Sequence, residues 1–244
     1  MGLFRICTSA QRHTWRPPRR SFNTFMALSL LAGMLAGFFA ITDGAGAQTA
    51  TPIRIVAFGD SLTAGFGLAA ADAFPERLEK ALKVKGYDVE VINAGVSGDT
   101  TAAALERFDW AVPDGADAAI VELGANDALR GQPPEQARKN LDTIITRLKT
   151  KGLAVLVAGI PAPRNWGETY VKAFDPMFAD LAKSHGALLY PFFLDGVATK
   201  ADLSLPDGLH PNARGVAVIV ERVLPKVEEL IAVVKAKRLA AGKS

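Results

Sequence analysis

Ile53-Arg54-Ile55-Val56-Ala57-Phe58-Gly59-Asp60-Ser61-Leu62-Thr63-Ala64-Gly65 runs from a nearly continuous apolar stretch into a polar turn bounded by glycines. An apolar run this short, closed by glycine, reads as a strand buried on both faces. A serine directly behind such a strand stands where the chain leaves the sheet. Its hydroxyl is placed at the sheet edge, and its backbone N–H faces outward as a helix opens.

The same alternation recurs along the chain. Phe74 to Lys85 carries apolar Leu78, Ala81 and Leu82 between charges and reads as a helix ended by Gly86. Val89 to Ile92 is a second strand, and Thr100 to Phe108 a short helix capped by Thr100 or Asp99. Ala118 to Leu123 is a third strand, followed by a helix over Pro134 to Lys149 with proline in its first turn. Leu153 to Ala158 is a fourth strand, Ala173 to Ser184 a helix, and Ala187 to Tyr190 a short fifth strand. Pro211 opens a final helix to about Lys237, with a bend expected at Pro225. Strands and helices in strict alternation predict an α/β domain with a five-stranded parallel sheet covered on both faces. Right-handed crossovers then bring the loops that follow the strands to one edge, where ligands bind in such folds.

Of the 244 residues, 28 are basic and 25 acidic. Five arginines and a single acid, Asp43, fall within residues 1–47, which leaves 23 basic against 24 acidic residues in the remainder. The basic balance therefore belongs to the N-terminal segment. The rest lacks the clustered cations on which nucleic-acid binding rests, so no nucleic-acid partner is expected. Residues 1–24 are arginine-rich and free of acids, Phe25 to Ile41 is an uncharged apolar run, and Ala45-Gly46-Ala47 is a small-x-small site. That order predicts a signal peptide over residues 1–47, cleaved before Gln48, and a domain over 48–244. An uncleaved anchor is the competing reading, although the run falls just short of the roughly 18–20 residues that span a bilayer. Arg19-Arg20-Ser21-Phe22 matches part of a twin-arginine signal, without its usual flanks. The expected location is periplasmic or secreted, with no stable membrane insertion after cleavage and a monomeric mature chain. The one cysteine, Cys7, lies in this segment, so the mature domain has no disulfide, thiol nucleophile or thiolate metal site.

Four loops carry residue types suited to chemistry. Gly59-Asp60-Ser61-Leu62 offers a hydroxyl; its competing readings are a helix cap and a phosphate-cradling loop. The glycine signatures of phosphate loops are absent. Asn93-Ala94-Gly95-Val96-Ser97-Gly98-Asp99-Thr100 has two glycines that let backbone approach a ligand. Leu123-Gly124-Ala125-Asn126-Asp127 offers a side-chain amide, although Asn and Asp also favour turns. Asp207-Gly208-Leu209-His210-Pro211 places an acid and an imidazole three residues apart, close enough to meet within a turn. Residues 48–244 hold one other histidine, His185, which precedes Gly186 and reads as a helix-end residue. Together these loops supply a nucleophile, a base, its partner carboxylate and oxyanion donors. The order Ser, Asp, His also occurs in α/β hydrolases, but their G-x-S-x-G elbow is missing.

These residues resemble the SGNH (GDSL) hydrolases over nearly the whole domain, from Ile53 to about Leu230. Gly-Asp-Ser-Leu at 59–62, Ser-Gly-Asp at 97–99, Gly-Ala-Asn-Asp at 124–127 and Asp-x-x-His at 207–210 follow in order. The chain is most similar to the exported bacterial thioesterase I, lysophospholipase and arylesterase group. Glu122-Leu123-Gly124-x-Asn126-Asp127-x-Leu129-Arg130-Gly131 carries that likeness, with Ala162-Pro163-x-Asn165-x-Gly167 and Tyr190-Pro191-Phe192-Phe193. Ala125 stands where the group often has glycine. The resemblance implies a three-layer α/β/α fold of flavodoxin-like strand order, with no metal or cofactor. It implies Ser61 as nucleophile, His210 as general base and acid, and Asp207 as its partner. The implied oxyanion hole is the Ser61 N–H, the Gly98 N–H and the Asn126 amide. The implied activity is hydrolysis of small-molecule acyl esters and thioesters: aryl esters, acyl-CoA and lysophospholipids. A carbohydrate O-acetylesterase on the same fold and a non-catalytic flavodoxin-like binding module are the alternatives. Phe66, Leu129, Ile160 and Leu209 are candidates to hold an acyl chain.

Overall fold

In the computed structural model, residues 51–242 are described; the expected signal peptide and Cys7 lie outside them. Five strands form one parallel sheet: β1 (Ile53–Gly59), β2 (Val89–Gly95), β3 (Ala118–Glu122), β4 (Ala154–Ala158) and β5 (Leu188–Tyr190). Their spatial order is β2-β1-β3-β4-β5, the flavodoxin-like order. All of β3 and β4 is buried, as the apolar runs require. The edge strands β2 and β5 are only partly covered.

Helices occupy both faces. On one, α2 (Phe74–Val84) packs against the long α9 (Ala213–Ala240), which also crosses β3, β4 and β5. On the other, α6 (Pro134–Thr150) and α8 (Met177–Ser184) cover β4, and α3 (Thr101–Glu106) rests on α6. Short helices α1 (Ser61–Ala64), α4 (Phe108–Ala111), α5 (Ala125–Leu129) and α7 (Glu168–Phe174) complete the set. Phe58, Phe74, Phe108, Phe174 and Phe193 are wholly buried in the two layers between sheet and helices. Burial of each such side chain favours the fold by about 1.5–3 kcal/mol.

The register positions the chemistry. Gly59 lies opposite Gly95 on one side and Glu122 on the other, Glu122 opposite Ala158, and Ala158 opposite Tyr190. One row of residues thus ends all five strands, and every following loop leaves from the same edge. Consecutive connections from β1 diverge between β1 and β3, which opens the crevice where ligands bind in this topology.

Four details differ from the sequence reading. The second strand extends through Asn93-Ala94-Gly95, which pair with Ala57-Phe58-Gly59, so its loop begins only at Val96. The helix expected over 173–184 is two helices, because Asp175-Pro176 separates α7 from α8 and proline supplies no N–H to continue the first. The turn expected at Ala125-Asn126-Asp127 is a short helix. Pro211 does not open the last helix: it pairs with Ser204 in an isolated bridge, and Asn212 caps α9 by accepting from Arg214 and Gly215 N–H. His210 therefore lies in the loop rather than at a helix entrance.

Candidate active site

Ser61 is the first residue of α1, immediately beyond the end of β1. Asp60 caps this helix, its Oδ1 accepting from Leu62 N–H at 3.0 Å. Because Asp60 is the cap, the Ser61 hydroxyl is left free for the cleft. That hydroxyl lies 2.9 Å from His210 Nε2, although 149 residues separate them in sequence. His210 Nδ1 lies 2.7 Å from Asp207 Oδ2. Asp207 Oδ1 meanwhile accepts from the Leu209 and His210 N–H groups, at 2.9 and 3.0 Å. The Asp-x-x-His turn therefore fixes the carboxylate by its own backbone before the imidazole uses it. These bonds hold the Asp207 carboxyl down at about 2, the His210 backbone N–H first, then the His210 side chain and the Leu209 N–H. The phenyl ring of Phe66 lies against the His210 ring, with centroids 4.5 Å apart.

The oxyanion candidates come from the ends of three strands. Gly98, with φ of +88°, follows β2; such a backbone is strained for any residue with a Cβ. Its carbonyl accepts from Arg130 Nη2 at 2.8 Å, which fixes the peptide after it. Among the described residues neither Ser61 N–H nor Gly98 N–H donates to another backbone carbonyl. Asn126 sits in the first turn of α5 and its Nδ2 donates to Asp60 Oδ2 at 3.2 Å. Ala125 is absent from the positive-φ residues, so alanine is unstrained at the position where the group often has glycine.

Residues outside the relay and the oxyanion donors hold these loops together. Arg107 is buried, donates to the Gly59 carbonyl at 2.8 Å and pairs with Asp99 beside Gly98. It thereby ties the end of β1 to the Gly98 loop. Asp127 is buried and accepts from Thr101 Oγ1 and N–H at 2.7 and 2.8 Å; Asn140 donates to the same hydroxyl. That network seats α5, and with it Asn126, on α3 and α6. Nothing in the spacing of Arg107 or Asn140 signals these contacts.

His185, the other histidine of the domain, bonds Asp142 at 2.7 Å at the end of α8, as a helix-end residue would. Phe66, Leu129 and Leu209 are about half exposed, at 48%, 48% and 54%, which leaves them available to an acyl group. Ile160 is a core residue, so that candidate is withdrawn. Trp166, also exposed, packs against the turn at Gly131, where a Cβ would lie 2.6 Å from the indole. A separate groove of about 430 Å³ lies along β2, lined in part by Arg54, Asn93 and Trp110, and includes none of Ser61, Asp207 and His210.

The GDSL-like lipase/acylhydrolase family pattern matches residues 57–218. Esterase TesA of Pseudomonas aeruginosa is 36% identical over 207 residues, covering 84% of this chain and all of that one. Thioesterase 1/protease 1/lysophospholipase L1 of Escherichia coli is 33% identical over 185 residues, covering 75% of this chain and 88% of that one. Among solved structures, AlinE4, an SGNH-hydrolase family esterase, is 45% identical with a TM-score of 0.62, covering 73% of this chain and 96% of that one. Extent of match, strand order and loop content agree: the chain belongs to the GDSL-like lipase/acylhydrolase family of ester hydrolases.

Proposed function

We propose that the protein is an exported serine hydrolase that cleaves acyl esters and thioesters through an acyl-enzyme on Ser61. The observation that carries this reading is the unbroken relay from Ser61 Oγ to His210 Nε2 and from Nδ1 to Asp207. His210 takes the hydroxyl hydrogen as Oγ attacks the carbonyl carbon. The oxyanion is met by Ser61 N–H, Gly98 N–H and the Asn126 amide. His210 returns the hydrogen to the departing alcohol or thiol. Water, deprotonated by the same imidazole, then releases the acid and restores Ser61. The half-exposed Phe66, Leu129 and Leu209 favour an apolar acyl group, in line with relatives named esterase, thioesterase and lysophospholipase.

A screen of purified protein against aryl esters, acyl-CoA and lysophospholipids of graded acyl length tests the reading. Turnover is expected, with chain length separating an acyl esterase from a carbohydrate O-acetylesterase. No turnover of any of these would sink it. EDTA in the same assay is expected to leave rates unchanged, since every step is assigned to protein groups and water; loss restored by a divalent ion would contradict the mechanism.

Asn126→Ala is expected to lower kcat by about 100–1000-fold, roughly 2.7–4 kcal/mol of barrier, because the amide meets charge that develops in the transition state. KM changes much less, since the ground-state carbonyl is a weaker acceptor. An effect confined to KM would instead make Asn126 a substrate-positioning group.

Export rests on the order of basic segment, apolar run and Ala45-x-Ala47. Among the described residues no helix is long and apolar enough to cross a membrane. N-terminal sequencing of the exported protein is expected to begin at or near Gln48. Residues 1–47 found intact in the mature protein would favour an anchor.

A further inference from the structure

Two carboxylic acids lie directly behind the Ser61 turn, and the relay uses neither. Asp60 and Glu122 are 0% and 1% exposed. Glu122 ends β3 opposite Gly59, and each acid bonds a residue of the Ser61 turn, Asp60 to Leu62 and Glu122 to Thr63, so the two side chains share the space beneath that turn. Three of their four oxygens have donors. Asp60 Oδ1 accepts from Leu62 N–H at 3.0 Å and Oδ2 from Asn126 Nδ2 at 3.2 Å; Glu122 Oε2 accepts from Thr63 Oγ1 at 2.8 Å. Glu122 Oε1 is buried and receives no donor. Among the described residues no lysine or arginine pairs with either acid; Arg107, which donates to the Gly59 carbonyl, is paired with Asp99. Two buried like charges in contact, with one oxygen unserved, are costly. A hydrogen on Glu122 resolves both problems, because it removes one charge and turns the unserved oxygen into a donor.

We infer that Glu122 is the neutral acid of this pair and acts as a positioning residue: it donates its hydrogen to the Asp60 carboxylate, which in turn orients the Asn126 amide and caps the Ser61 helix. The inference rests on the reading of Asn126 as an oxyanion donor. The pair then carries a single negative charge at neutral pH. A carboxylate in place of the acid would bring a second negative charge close to the forming oxyanion.

The electrostatics run the same way. Burial, and then the charge of Asp60, push the Glu122 carboxyl well above the usual range, against the smaller opposing pull of the Thr63 hydroxyl and the Asp60 backbone N–H. Burial also raises Asp60, to about 6, but both of its oxygens have donors while Glu122 Oε1 has none, so the charge rests on Asp60 and the hydrogen on Glu122. His210 faces Asp60 and favours its charged form, as do the bonds from Leu62 N–H, Asn126 and Glu122. Asp127, on α5, turns away to Thr101.

Infrared spectroscopy of the full-length or mature protein at neutral pH tests the protonation directly. The wild type is expected to show a protonated-carboxyl carbonyl band that is missing from Glu122→Gln. A wild-type spectrum without that band overturns the inference, whether or not any variant folds. Kinetics test the positioning role. Glu122→Gln keeps a donor toward Asp60 and an acceptor for Thr63, and is expected to hold kcat within about threefold. Glu122→Met has similar length and no donor, and is expected to lose about 10–100-fold in kcat with KM little changed, because a small misplacement of Asn126 suffices. Equal kcat in the Gln and Met variants overturns the role. Absence of ester turnover in the wild type overturns the esterase reading instead, and the infrared result then still decides the protonation.

Discussion

Ser61→Ala is expected to lower kcat by about 10⁴–10⁶-fold while leaving the fold unchanged. Both halves of that result follow from where Ser61 sits. Its hydroxyl makes one bond, to His210 Nε2, and supports no other element. The helix it opens is capped by Asp60, and the substituted alanine is the best helix former. The lost hydrogen bond joins two partly exposed groups, so the cost in stability is about 0.5–1.5 kcal/mol at most. Calorimetry should therefore show near-identical melting for the variant and the wild type. Without the hydroxyl there is no atom to carry the acyl group, and only the oxyanion donors and binding remain to assist direct attack by water. A serine-directed phosphonate should add once to the wild type, its phosphorus bonding Ser61 Oγ as its leaving group departs. It should not add to the variant. Turnover close to wild type in Ser61→Ala, or labelling at another residue, would remove the acyl-enzyme mechanism.

The sheet is legible because its central strands are largely apolar runs ending at Gly59, Glu122 and Ala158, and burial on both faces leaves little else for such runs to be. The elements that were misread lack that redundancy. Asn93-Ala94-Gly95 is polar and glycine-containing, yet it pairs as strand because β1 beside it continues to Gly59. The α7–α8 break is local chemistry at Pro176 that apolar spacing alone passes over. In the site, Asp207 and His210 are readable because residues 48–244 hold only two histidines and one of them stands three residues after an acid, while Ser61 directly follows a buried strand and its turn. Their supports were not, since Arg107 and Asn140 look like ordinary helix residues until the fold brings them against Gly59 and Thr101. Glu122 did carry a signal: it is an acid closing an otherwise apolar strand that the sheet buries completely. An acid in such a run requires an explanation, and Thr63 and Asp60 provide it only in three dimensions.

Asp207→Asn is expected to lower kcat by about 10⁴-fold with the fold intact. The asparagine oxygen can still accept from the Leu209 and His210 N–H groups, so the turn survives. Its amide nitrogen then faces His210 Nδ1, where the carboxylate oxygen stood at 2.7 Å. A donor there forces Nδ1 to accept, which places the ring hydrogen on Nε2 and removes the lone pair that must take the Ser61 hydrogen. The pH profile separates this role from a structural one. In the wild type, kcat/KM on a substrate with no ionisable group falls on acidification, because an imidazolium cannot accept a hydrogen. Asp207 itself is not the titrating group: with its carboxyl held at about 2, it stays charged until far below that limb, and its pairing is lost only as pH falls through about 2. Asp60, raised to about 6 by burial, gains a hydrogen as pH falls through that value, and Asp207→Asn leaves that step in place. His185→Gln should leave the profile unchanged, since His185 bonds Asp142 at the end of α8. A limb that moves with His185 and ignores Asp207 would mean that the base is not His210, and the relay built on the Asp-x-x-His turn would fall with it.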